Sequence, residues 1–190
     1  METPEGHRKL IKHDDAPGEA HALTISCHGR RQLLREDARC CLLAESIDRA
    51  MDRHGYRLLA YVFMPEHVHL IVWPEPAASG VSRLLYAIKK PFSYRVKQMM
   101  IAAADPALAE LTIRERPGDR CFRFGQEGPG YDRNIRNTDT LWRVIDCIHR
   151  NPARRGLVDE PAGWKWSSWW AYSETEGRSG PLRPKVRVWR

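Results

Sequence analysis

Two histidines separated by one valine, His67-Val68-His69, lie in the run Tyr61-Val62-Phe63-Met64-Pro65-Glu66-His67-Val68-His69-Leu70-Ile71-Val72-Trp73. In a strand, residues i and i+2 point to the same face. Both imidazoles then emerge together, close enough to share a metal ion, while Val68, Leu70 and Val72 point into a core. A divalent ion needs further ligands, and an amide or carboxylate oxygen suits a site that must also grip phosphate. Asn151 is a candidate third ligand. It follows Cys147 by four residues near the end of a helical segment, and residues i and i+4 share a helix face. Local sequence also permits a plainer reading of each: a hydrogen-bonded histidine pair on a strand edge, and an asparagine that terminates a helix before Pro152.

The elements that must position these residues follow from periodicity. Residues His21 to Cys27 alternate as a first strand. Apolar residues recur at helical spacing from Glu36 to His54, and Gly55 stops that helix. Residues 56–64 and 67–73 read as two strands joined at Pro65-Glu66, where proline breaks the ladder. A second helix begins near Val81, and Pro91 should kink or interrupt it. Residues 105–121 read as irregular. Short extended pieces at 122–126 and 131–135 flank a Gly-Pro-Gly turn. Asn137-Thr138-Asp139 caps a helix from about Thr140 to Arg150. This order predicts an α+β ferredoxin-like sandwich, an antiparallel sheet with helices on one face, and a C-terminal extension. We read residues 1–20 as an N-terminal arm, 21–172 as the folded domain and 173–190 as a basic tail.

Composition narrows the class. At 190 residues with 42% apolar content and seven tryptophans, the chain can bury a core. The net charge of +7 favours an acidic partner, with nucleic acid leading, against the plainer reading of a solvated basic surface. The cysteines, Cys27, Cys40, Cys41, Cys121 and Cys147, are odd in number and match no zinc spacing. A reducing cytoplasm is the simplest account. No apolar run is long enough to cross a bilayer, so no membrane partner is expected. A zinc deaminase would need H-x-E with P-C-x-x-C, and neither is present.

Three stretches carry a resemblance: the histidine run above, Gly130-Tyr131-Asp132-Arg133-Asn134, and Ile148-His149-Arg150-Asn151-Pro152-Ala153-Arg154-Arg155-Gly156-Leu157-Val158 followed by Trp164-Lys165-Trp166-Ser167-Ser168. Together these resemble the REP-associated tyrosine transposases, within the single-tyrosine HUH transposases of insertion-sequence 200 type. Matching pieces run in order from about residue 21 to 172. The resemblance implies a ferredoxin-like fold and a divalent ion, Mg²⁺ or Mn²⁺, on His67 and His69. It further implies action on short palindromic DNA hairpins, with metal-dependent nicking and joining of single strands in DNA transposition.

The same resemblance exposes a departure. The family's Asp-Tyr-Ile-His-x-Asn-Pro reads Asp146-Cys147-Ile148-His149-Arg150-Asn151-Pro152 here. Cys147 thus stands where the nucleophilic tyrosine belongs. A phenolate attacks a metal-polarised phosphate and leaves again; a thiol is shorter, and its phosphorothioester with DNA would be unusual. Three readings follow. The chain is an inactive hairpin-binding relative, or another tyrosine such as Tyr131 or Tyr94 substitutes, or Cys147 acts with a hydrolytic water. Tyr131 also has a plainer role, structural or DNA-contacting, and Tyr94 one of packing or snorkelling from its helix. Basic residues suited to phosphate are Arg30, Arg31, Lys89, Lys90, Arg133, Arg136, Arg150, Arg154, Arg155 and the tail. Exposed members among Trp164, Trp166, Trp169 and Trp170 suit stacking on unpaired bases, whereas packing onto the sheet is the favoured role of Trp166.

Overall fold

The computed structural model describes residues 18–116, 118–128, 130–173 and 183–188. The chain runs β1 (Ala20–Ser26), α1 (Asp37–His54), β2 (Tyr56–Met64), β3 (His67–Pro74) and α2 (Val81–Ala102). It continues through α3 (Ala107–Glu110), β4 (Thr112–Arg116), β5 (Asp119–Phe122), β6 (Tyr131–Ile135), α4 (Thr138–His149), α5 (Asn151–Arg154) and α6 (Trp169–Tyr172). Four strands form an antiparallel sheet in the order β2-β3-β1-β6. That is the ferredoxin-like order, with β3 inserted between β2 and β1.

The pleat divides the side chains between two cores. Leu23, Val68, Leu70 and Val72 join Leu43, Ile47, Leu84 and Ile88 from α1 and α2 on one face. Ile71, Val62, Met64 and Ile135 join Leu141, Ile145 and Ile148 of α4 on the other. The helices α1 and α2 cover one face as the sequence suggests, and α4 adds a smaller cover to the opposite one. A bulge between Leu58 and Ala60 lets one edge strand serve both cores: Leu58 faces α1 and α2, while Leu59 and Ala60 both face α4.

Several local expectations are met closely. Gly55 ends α1 in the left-handed conformation at φ 72°. The Asn137 side chain accepts a hydrogen bond from the Thr140 N–H at the start of α4. Two differ. Helix α2 continues through Pro91 without interruption, because the helix is anchored on both sides of it by buried Leu84, Leu85, Ile88, Phe92 and Val96. The stretch 105–121 is not irregular: it holds α3 and the β4–β5 hairpin.

The β2 edge is covered by distant chain. Phe63 N–H donates to Trp166 O and Ser168 N–H to Tyr61 O, while Arg187 N–H donates to Leu58 O. Trp166 is buried, stacking on Phe63 at 5.7 Å between ring centroids. Its favoured packing role is therefore the observed one. In the tail, Lys185 N–H donates to Asp48 of α1, so residues 183–188 lie against the domain; Arg178 and Arg190 fall outside the described residues.

Candidate active site

The alternation of β3 puts His67 and His69 on the α4 face of the sheet, as their spacing requires. Their rings meet edge to face with Nε2 atoms 3.0 Å apart. Each ring is held through its other nitrogen. His67 Nδ1 lies 3.0 Å from Glu66 Oε1, and His69 Nδ1 lies 2.9 Å from Thr24 Oγ1 on the neighbouring strand β1. Glu66 is clamped in turn by the Arg155 guanidinium. These partners fix the ring orientations as carboxylates and hydroxyls do around metal-binding histidines. The pair opens onto a cleft of about 560 Å³ lined also by Arg30, Gln32 and Arg155. Arg30 has φ 56°, a conformation that strains a non-glycine residue, and it follows Gly29 at φ 58°.

Electrostatics favour neutral rings. Burial, then the neighbouring His67 charge, lowers the His69 pKa to about 4. Burial also lowers His67, against the pull of Glu66. Burial alone would raise Glu66, but the hydrogen bond from Arg155 and the charge of His67 leave it below the ordinary carboxylate value. With Nδ1 protonated on both rings, two lone pairs face each other across 3.0 Å, and a cation at their convergence satisfies both. That separation matches two nitrogen ligands about 2.1 Å from one ion, meeting at roughly a right angle. Glu66 Oε2 is a further buried oxygen with no hydrogen-bond partner. The residues fit a divalent ion that takes its remaining donors elsewhere. Among the described residues, no group of three or more His, Cys, Asp or Glu side chains is placed to hold one alone.

The other sequence candidates are dispersed. Cys147 is exposed on α4, and its sulfur accepts a hydrogen bond from Arg154 Nη1 at 3.2 Å. Asn151 opens the separate short helix α5 rather than ending α4. Neither lines the cleft that holds the histidines. Tyr131 is 54% exposed on β6, and Tyr94 is 65% exposed on α2. The sheet register sets His69, Thr24 and Tyr131 in one row across β3, β1 and β6. Directly opposed residues share a face, so Tyr131 stands roughly 10 Å from His69 at ordinary strand spacing.

Of the cations, Arg30 and Arg155 line the cleft. Arg133 is exposed on β6 beyond Tyr131. Arg31 pairs with Glu110, Arg136 with Glu19, and Arg150 with Asp146. Lys89 Nζ donates to Gly128 O, and Lys90 Nζ to the Tyr86 hydroxyl. His149 Nε2 lies 2.7 Å from Ser168 Oγ, which itself accepts from Tyr61 N–H; that histidine joins α4, β2 and the C-terminal segment. Sequence reading missed Glu66, Thr24 and Gln32. Glu66 adjoins His67 and was findable; Thr24 is brought in only by the β1–β3 register.

Comparison with known proteins bears on the fold that carries this geometry. Residues 19–107 match the family described as "Transposase IS200 like". No curated protein matches the chain. A solved REP-associated tyrosine transposase, bound to a REP hairpin, aligns over 99% of this chain and 98% of its own, at TM-score 0.59 and 22% identity. That likeness speaks for the fold. A further structure, a candidate transposase from Deinococcus radiodurans R1, aligns over 75% of this chain and 97% of its own at TM-score 0.44 and 17% identity, too distant to weigh. The β1-to-α2 unit that carries both histidines lies within the matched residues, and over that unit the chain is similar to the IS200-like transposases.

Proposed function

We propose that this protein acts on single-stranded DNA hairpins, by metal-dependent nicking and joining in DNA transposition, at the cleft of His67 and His69. The observation that supports this best is the pair of Nε2 atoms converging at 3.0 Å, each ring held from behind by Glu66 or Thr24. A divalent ion, Mg²⁺ or Mn²⁺, would be held by His67 and His69, with Asn151 as the third donor that the sequence pattern suggests although it stands outside the cleft lining, and it would supply polarisation of a phosphate oxygen. Arg30 and Arg155 at the cleft wall suit the phosphates on either side of the scissile one. We place the protein in the cytoplasm; no helix among the described residues is long and apolar enough to cross a membrane.

The nucleophile divides this reading. With Cys147 at the tyrosine position, the alternative is a protein that binds the hairpin and does not cut it. Tyr131 is favoured as a substitute by one observation, its place in the His69–Thr24–Tyr131 row. Calorimetry with Mn²⁺ tests the site itself. The wild type should bind, and the double variant His67→Ala, His69→Ala should not, with its unfolding transition retained. Equal binding by both proteins would end the metal-site reading.

A further inference from the structure

We infer that the outer face of the α1–α2 layer is a second nucleic-acid surface, a trough for the sugar-phosphate backbone of duplex DNA such as a hairpin stem. This rests on the reading of DNA as the partner and adds a site that the His67–His69 cleft does not include. The two lie on opposite sides of the sheet: Val68 and Leu70 point to the core under α1 and α2, and the histidines that alternate with them point the other way.

The trough holds about 560 Å³ and is bounded by Arg49 and Arg53 from α1 and by Arg83, Lys90 and Arg95 from α2. Its floor includes the buried Ser46 and Ala50 and the half-buried Ala87, while Ser82 stands exposed at the rim. No Asp or Glu lines it. Arg49 and Arg95 share Glu45, which fixes both guanidinium groups at the rim. Arg53 and Arg83 engage no acidic partner among the described residues, although ion pairs occupy many other arginines of the chain. Lys90 sits 5.1 Å over the ring of Tyr86, which is 60% exposed. A second cleft continues the stripe through Ser82, Tyr86 and Lys90 to Lys89 and to Arg123, which is paired there with Glu127.

These features match a polyphosphate chain better than a single anion. Arg83 and Arg95 are twelve residues apart on one helix, about 18 Å at the ordinary rise, so the cations span several phosphates. Arginine forks pair phosphate oxygens in a bidentate way. The small floor leaves room for a sugar-phosphate strand between two cationic walls. A surface of this kind adds affinity and salt dependence and reads no sequence.

The test uses the full chain and labelled blunt duplex DNA, followed by anisotropy across a salt series. Arg53→Glu with Arg83→Glu should weaken duplex binding about tenfold or more near 100 mM salt. It should also reduce the log–log salt slope by about 1 per residue. Arg53→Gln with Arg83→Gln should move both in the same direction by less, which guards against a misfolded charge-reversal variant. Mn²⁺ binding by calorimetry should be unchanged in both, and His67→Ala, His69→Ala should retain duplex binding. Wild-type duplex affinity in the Arg53, Arg83 variants would overturn the inference. So would their loss of poly-glutamate binding with duplex binding intact, because the trough would then serve an acidic polypeptide. If the wild type binds Mn²⁺ and hairpin but no duplex, this inference fails alone; if it binds no DNA of any form, the DNA reading fails with it.

Discussion

Cys147 is the residue on which the proposed reaction turns. Its sulfur is exposed on α4 and engaged by Arg154, outside the wall of the histidine cleft. A tyrosine there extends several ångströms further and carries a phenol. If residue 147 alone blocks the chemistry, Cys147→Tyr should form a covalent adduct with hairpin DNA that requires Mg²⁺ or Mn²⁺, and the wild type should form none. Denaturing gels with a labelled hairpin read this directly. A wild-type adduct that survives Cys147→Ala and is lost in Tyr131→Phe would make Tyr131 the nucleophile. An adduct lost in Cys147→Ala would make the thiol catalytic. At this scale the sequence was legible where chemistry is local. His67 and His69 are paired by strand alternation alone, and their side chains do meet. Thr24, which holds His69 from 45 residues away, has no local signature.

Elements carry the site through their backbones. Gly130 precedes β6 at φ 83°, and a Cβ there would meet Thr24 O at 2.4 Å. Thr24 is the residue that orients His69, so the glycine controls both the approach of β6 and the placing of a histidine. Gly130→Ala should destabilise the fold by more than about 1 kcal/mol, from strain at positive φ and the backbone clash. Urea unfolding measures that loss, and Mn²⁺ affinity should fall in parallel; an alanine variant of native stability would refute it. The strong periodicities predicted β1, α1, β2, β3 and α4 to within a few residues. The weak spots had physical causes. Pro91 sits in a helix whose buried residues on both sides outweigh one lost hydrogen bond. The β4–β5 hairpin is charged, and its pairing outlasts the lack of apolar alternation. The cover on β2 comes from residues more than 100 positions away, a pairing that local pattern does not encode.

For the molecule as a whole, buried histidine sets a pH limit. His149 is 1% exposed, and burial lowers its pKa to about 4 from 6.5. The unfolded chain therefore takes up a proton below about pH 6.5 that the folded protein refuses until about pH 4. Stability should be unaffected above that window and should fall as pH drops through it, by about 3 kcal/mol in total for this group. Urea unfolding from pH 7 to pH 4 should show a shallower decline for His149→Gln than for the wild type. His69, lowered to about 4 as well, declines in both proteins and cancels in the comparison. Coincident profiles would show that His149 does not carry the effect.

The closed β2 edge has a consequence in time. Residues 61–63 take Trp166, Ser167 and Ser168 as neighbours, and Leu58 takes Arg187. During synthesis the strand is made more than 100 residues before the chain that covers it. Until then it presents bare N–H and C=O groups, the template on which strands of separate molecules pair. Residues made more than 100 positions later are thus the ones that end the strand's exposure to neighbouring molecules, and a ribosome halted before Trp166 would leave a sheet that is still sticky along one side.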